Sequence, residues 1–245
     1  MQRAGTDTHD RSSALVESRC RRDSQWLERS KWADQSGNGN NAIQLFSERQ
    51  PLLLRNVLNG KPVIRFDGSD DRLGLTGSKL MSQISLFLTL KIDSGAMGYS
   101  PIVLGDIDAA GRVWGVIMQS IYTGYSPDTI NIFIGFNSYV RASALNCSAF
   151  GLWHNISVVT NGVMWNTTLR ADGVDAEISL DAPNMLLSVS IGNSSGTGFG
   201  GIGGAKCDIA EVILYDTVLS DSLRRSVELY LAAKYGLPQM AESGK

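Results

Sequence analysis

The 245 residues predict an all-β protein, a two-sheet antiparallel jelly-roll sandwich closed by a single C-terminal helix. Three observations carry that prediction. Short apolar runs alternate with Gly/Asn/Asp/Ser clusters from Trp26 to about residue 215, which is the pattern of strands joined by turns. Several of those runs alternate strictly between apolar and polar residues. A helical apolar stripe appears in one place, Ser220 to Tyr235.

In chain order, residues 1–25 are polar and highly charged and read as an N-terminal arm outside the core. Residues 26–240 form the sandwich, and 241–245 a tail. Ile84, Leu86, Leu88, Leu90 and Ile92 point to one face of a strand, and Ser85, Thr89 and Lys91 to the other. Ile130, Ile132, Ile134 and Phe136 repeat the pattern. Alternation buries one face and leaves the other to solvent or a loop, so two such sheets must stack. Asn59-Gly60, Asn161-Gly162 and Asp172-Gly173 suit the positive φ of tight hairpins. The last two predict a meander of residues 153–160, 163–171 and 174–178. In the helix, Ser220 is placed to cap, Asp221 sits at the positive end of the dipole, and Gly236 and Pro238 end it. Leu223, Val227, Tyr230, Leu231 and Tyr235 form the predicted buried stripe, with Arg224, Arg225, Glu228 and Lys234 mostly turned away.

Composition excludes several functions. A net charge of −2 supplies no field for a nucleic-acid backbone, so no nucleic-acid partner is expected. No run approaches the roughly 20 apolar residues of a membrane span, so no membrane insertion is expected. The N-terminus has no apolar signal core, and an extracellular or virion-surface location is the expectation. Cys20, Cys147 and Cys207 have no metal-ligand spacing and allow at most one internal disulfide, with Cys147–Cys207 the better pair. Four N-x-[ST] sequons, at Asn146, Asn155, Asn166 and Asn193, are ordinary in a chain rich in these residues.

Three stretches carry a resemblance. They are Trp32-Ala33-Asp34-Gln35-Ser36-Gly37-Asn38-Gly39-Asn40-Asn41-Ala42, then Asn59 through Leu73 with its Arg65-Phe66-Asp67-Gly68 centre, then Asp208 through Asp216 running into the helix and Lys234-Tyr235-Gly236-Leu237. In this order and spacing the chain resembles bacterial LamG-like jelly-roll domains of the concanavalin A-like lectin/glucanase superfamily. The resemblance implies a sandwich over residues 26–238. It also implies a function among lectins, carbohydrate-binding modules, protein-binding domains, glycosidases and lyases, which fold alone does not separate. Such domains usually begin with an apolar strand, and here its place holds the polar arm, so either the first strand is missing or irregular or a neighbouring chain supplies the edge.

Catalysis finds little support in the residues. A retaining glycosidase needs two carboxylates about 5 Å apart, and Asp208 and Glu211, three apart on one strand, should face opposite ways. His154 beside Trp153 reads as structural. Gly196-Thr197-Gly198-Phe199-Gly200-Gly201 spells G-x-G-x-x-G, but a strand rather than a helix is expected after it, so a dinucleotide site is not. Asp67, Asp70 and Asp71, like Asp106 and Asp108, read either as ordinary turn formers or as oxygen ligands for calcium, the one cofactor the residues admit. For ligand binding the loop aromatics Tyr99, Tyr122, Tyr125, Tyr139 and Phe199, with Asp128, offer ring faces for sugar C–H groups and acceptors for hydroxyls. The expectation is a non-catalytic module binding a glycan or cell-surface ligand through rim loops. The alternative is a structural subunit of an assembly such as a phage virion, meeting other copies or proteins through the arm. A polysaccharide hydrolase or lyase ranks third.

Overall fold

The computed structural model describes residues 14–19, 30–76, 83–93, 99–107, 113–118, 130–133, 141–143, 151–161, 167–175, 177–179, 190–193 and 202–238. Among the described residues two large sheets and one α-helix make up the architecture, as the alternation predicts. The first sheet runs in the order β14 (Val174–Asp175), β13 (Thr167–Ala171), β12 (Trp153–Thr160), β7 (Ile84–Ile92), β18 (Lys206–Tyr215), β5 (Lys61–Asp67), β4 (Leu52–Leu58). The second runs β10 (Ile130–Phe133), β9 (Val113–Met118), β8 (Tyr99–Ile107), β16 (Ser190–Ile191), β6 (Leu73–Leu75), β3 (Ala42–Ile43), β2 (Lys31–Trp32). Pairing is antiparallel except where β17 (Ile202–Gly204) lies parallel to β8. β11 (Arg141–Ser143) and β15 (Glu177–Ser179) make a small separate pair.

The residues 14–19 belong to the sheet and not to a detached arm. They form β1 (Ala14–Arg19), antiparallel to β18. β18 is ten residues long and has two partners along one edge: β5 opposite Lys206–Ile209 and β1 opposite Glu211–Tyr215. The change of partner falls at a register shift between Ile209 and Glu211. Main-chain hydrogen bonds need no apolar side chains, so a polar segment can complete a sheet that apolar patterning does not reveal.

The core lies between the sheets, with Leu86, Leu88, Leu90, Phe66, Leu73 and Trp32 among its largest fully buried side chains. The face of β7 expected to meet solvent or a loop is dry at Ser85 and Thr89. Ser85 and Thr89 are buried, because the helix α1 (Asp221–Tyr235) and the chain leading to it cover that face. Their hydroxyls are satisfied internally: Ser85 Oγ donates to Thr217 O at 2.8 Å and accepts from Leu219 N at 2.9 Å, and Thr89 Oγ1 donates to Asn155 Oδ1 at 2.7 Å.

Ser220 caps α1, accepting from Leu223 N, and Gly236 ends it in the left-handed region at φ 65°. Val227, Leu231 and Tyr235 pack on Phe87, Ile213, Val63 and Leu58, as the stripe predicts. Leu223 departs from it, being about half exposed, whereas Arg224 is buried and pairs with Asp221 at 3.1 Å. Arg224 is one turn before Val227 and so shares its face. Glu228 and Lys234 also reach down to the sheet rather than away from it. Ser157 Oγ donates to Glu228 at 2.5 Å, and Lys234 Nζ donates to Glu211 at 2.6 Å.

Asn59-Gly60 and Asp172-Gly173 form the predicted hairpin turns with positive φ at both residues. The meander is present as β12, β13 and β14, with β13 starting at Thr167. Cys207 is a free, buried thiol, so the Cys147–Cys207 pairing is not made, and burial pushes its pKa far up. Among the described residues no helix is long and apolar enough to cross a membrane.

Candidate functional site

The outer face of the first sheet divides into two parts. α1 covers the part where Phe87, Ile213 and Ser157 lie. Beside it a strip stays uncovered by the helix, and one row of cross-strand neighbours marks it: Leu52 opposite Arg65, Arg65 opposite Asp208, Asp208 opposite Lys91, Lys91 opposite Trp153. Directly paired residues share a face, so these five side chains line up across β4, β5, β18, β7 and β12. Leu52 is 54% exposed and the Arg65 side chain 46%.

Asp208 sits at the centre, its side chain only 3% exposed. Arg65 grips it with two bonds, Nε to Oδ1 at 2.6 Å and Nη2 to Oδ2 at 2.8 Å, and Lys91 Nζ lies 3.0 Å from Oδ2. Burial pushes the Asp208 carboxyl up, but the hydrogen bonds and charges of Arg65 and Lys91 outweigh it and hold the group below its ordinary value. The hydrogen bond to Asp208 in turn raises Arg65. Lys91 Nζ also lies 5.6 Å from the centre of the Trp153 ring, a cation–π distance.

Two residues along the strands, on the same face, a second row begins. Lys206 is opposite Asp67, and Lys206 Nζ is 3.6 Å from Asp93 Oδ2. Asp67 leads into a turn in which one ligand oxygen from each of Asp67, Asp70 and Asp71 lies within 4.8 Å of the others. The turn is held rigidly. Asp71 Oδ2 accepts from Asp67 N at 2.9 Å and Asp67 Oδ1 from Ser69 N at 2.7 Å. Gly68 has φ +87°, and a Cβ there would meet Lys206 Cβ at 2.8 Å, so glycine is required. Burial raises Asp71 to about 6; the Asp67 N–H bond opposes the rise and the charges of Asp67 and Asp70 add to it. Three hard oxygen donors gathered in one turn suit a calcium ion in donor type.

Glu211 occupies the other part of the face. It lies opposite Thr89, and Asp208 lies opposite Lys91, so the two carboxylates share one face and do not point opposite ways. The bulge at Ala210 is the reason: one extra residue reverses the expected alternation. Their surroundings differ. Glu211 is fully buried under α1, bonded to Lys234 and, at 2.9 Å, to Tyr235 OH. His154 lies on the opposite face of β12. It is buried on the inner side opposite Leu90, and its Nδ1–H donates to Asp172 Oδ2 at 2.7 Å.

Of the residues singled out from sequence, Asp67, Asp70 and Asp71 come together. Tyr99 and Asp106 fall on β8. Tyr122, Tyr125, Asp128, Tyr139, Phe199 and Asp108 lie outside the described residues, as does the glycine-rich run 196–201, which the strand β17 follows. The strip itself was missed. Its only sequence signal is a polar residue at the outward position of three strands, Arg65, Lys91 and Asp208, and nothing local says which strands adjoin.

No family model matches the chain, and no curated protein does. Solved structures match its fold. Trypanosoma rangeli sialidase superposes with a TM-score of 0.61 at 12% identity, over 89% of this chain and 33% of that one. The same sialidase in complex with sialic acid gives 0.61 at 13%. The HCR/D W1238A mutant, a botulinum toxin receptor-binding domain, gives 0.57 at 11%, over 93% of this chain and 55% of the other. The chain thus spans about a third of the sialidase and about half of the toxin fragment. At these identities the likeness establishes the fold, a two-sheet β-sandwich.

Proposed function

We propose that the protein is a non-catalytic glycan-recognition module whose binding surface is the Leu52–Arg65–Asp208–Lys91–Trp153 strip. One observation carries this reading: two cations locked around one ionised carboxylate, between an aromatic and an aliphatic residue, on the helix-free part of the sheet. The unspent N–H groups of Arg65 and Lys91 suit sugar oxygens, and Trp153 and Leu52 suit C–H faces. A catalytic acid would have to hold a proton near neutral pH, whereas Asp208 is kept ionised and Glu211 is sealed off.

The three LamG-like motifs and the fold shared with about a third of a sialidase solved in complex with sialic acid support the class of ligand. Calcium at Asp67, Asp70 and Asp71 belongs to the same proposal, since Asp67 shares the face of Arg65. The virion-subunit alternative relied on an arm that needs a neighbour. Ala14–Arg19 pairs with β18 of its own chain, so the glycan reading is preferred.

A glycan array probed with the purified protein tests the proposal. Binding to a defined set of glycans, lost in Trp153→Ala and Arg65→Ala while both variants remain folded, is the expected result. Sugar release from any polysaccharide would replace it with an enzymatic reading.

A further inference from the structure

We infer that the strip takes an extended saccharide of about four units lying across the strands, and not a single terminal sugar; this rests on the glycan reading above. The row crosses five strands, β4, β5, β18, β7 and β12, which are consecutive neighbours. Four inter-strand steps of about 4.8 Å make about 19 Å, and one pyranose in an extended chain advances roughly one such step, so about four units fill the row.

The chemistry changes along the row in the way such a chain needs. Its two ends are apolar, Leu52 and Trp153, and offer contact to C–H faces. Its middle is the Arg65–Asp208–Lys91 cluster. Asp208 spends its two oxygens on these cations, which fixes them in place while leaving further N–H donors for hydroxyl and ring oxygens. The floor is donor-rich and laid out before any ligand arrives.

The borders favour the same occupant. Toward α1 the next row is Asn155, Thr89 and Glu211, all buried, so a ligand cannot shift that way. On the other side Lys206, Asp67 and Asp93 remain partly or largely exposed and run alongside as a second polar row. A chain bounded in this manner is held along its length. A lone sugar on the strip would meet one or two side chains, with no enclosure to make up the loss.

The test uses the full chain and soluble sugars of one to six units derived from cellulose, laminarin, starch and chitin, measured by calorimetric titration. One series should bind with affinity rising from one unit to about four and then levelling. Trp153→Ala should weaken the four-unit sugar by about tenfold, and Leu52→Ala should move the levelling point one unit shorter, both in protein shown to be folded by its melting transition. Equal affinity for one unit and for four would overturn the inference and leave the recognition module standing. No binding of any member, together with a blank glycan array, would overturn both.

Discussion

The two halves of one sheet face hold the same chemical device for different ends. Under the helix, Glu211 is buried and tied to Lys234 and two tyrosines, Tyr235 at 2.9 Å and Tyr230 at 3.4 Å. On the open strip, Asp208 is buried and tied to Arg65 and Lys91. Glu211 draws its partners from the helix, so its pairing fastens that helix to the sheet and nothing is left for solvent. Asp208 draws its partners from adjacent strands, and both cations keep part of their surface exposed. A buried carboxylate is therefore not informative by itself; the element that supplies its partners is. The bulge at Ala210 allows the arrangement, setting both carboxylates on one face three residues apart.

The largest expected effect comes from breaking the covered half. Glu211→Ala removes the buried carboxylate to which Lys234 and the two tyrosines donate, with Tyr235 OH keeping Ala210 O at 3.1 Å, and should cost about 3 kcal/mol in a denaturant titration. Glycan binding by the folded fraction should not change. If binding falls as well, the two halves are not separate in function.

The acidic turn at the end of the open half should show the opposite sign. Asp71 is raised from 3.8 to about 6, so between those values the folded state holds a proton that the unfolded state has lost. Stability from this group is greatest below pH 4, declines as pH rises through 4 to 6, and is fully lost above that. Asp71→Asn should remove the decline and leave the protein about 2 kcal/mol more stable than wild type at pH 8. Calcium should raise the wild-type melting temperature and leave the variant almost unmoved. A wild type indifferent to calcium would assign the cluster to turn formation only.

Asp208 should behave in the ordinary carboxylate direction. Its folded value lies below the unfolded one, so its contribution is complete above about pH 4 and fades as pH falls through the lowered value. With Arg65 half exposed and solvent screening its charge, Asp208→Asn should cost only about 1 kcal/mol at pH 7, yet abolish binding on the strip. A smaller change sharpens the covered half again: Ser220→Ala, which removes the cap of α1, should cost about 1 kcal/mol in the same titration without touching binding.

Much of the fold was legible in the sequence because its signals are local. Turn pairs such as Asn59-Gly60 declare their own backbone geometry, and Val227, Leu231 and Tyr235 show the buried side of α1 by spacing alone. β1 was not legible, since Leu15 and Val16 sit among charged residues and the strand is held by pairing to β18, about two hundred residues away. The metal candidate Asp67, Asp70 and Asp71 could be read because it is contiguous. The strip could not. Arg65, Lys91, Trp153 and Asp208 are each unremarkable in their own strands, and only strand order and a bulge bring them into one row.

The most direct test of the account is a side-by-side measurement of Trp153→Ala, on the open strip, and Glu211→Gln, under the helix. Each is assayed on a glycan array and by thermal melting. Trp153→Ala should lose glycan signal while staying folded, melting lower only by the loss of its packing beside the helix cluster, and Glu211→Gln should melt lower while keeping the signal. Full glycan signal in Trp153→Ala, or its loss in a folded Glu211→Gln, would contradict the division of this face into a binding half and a structural half.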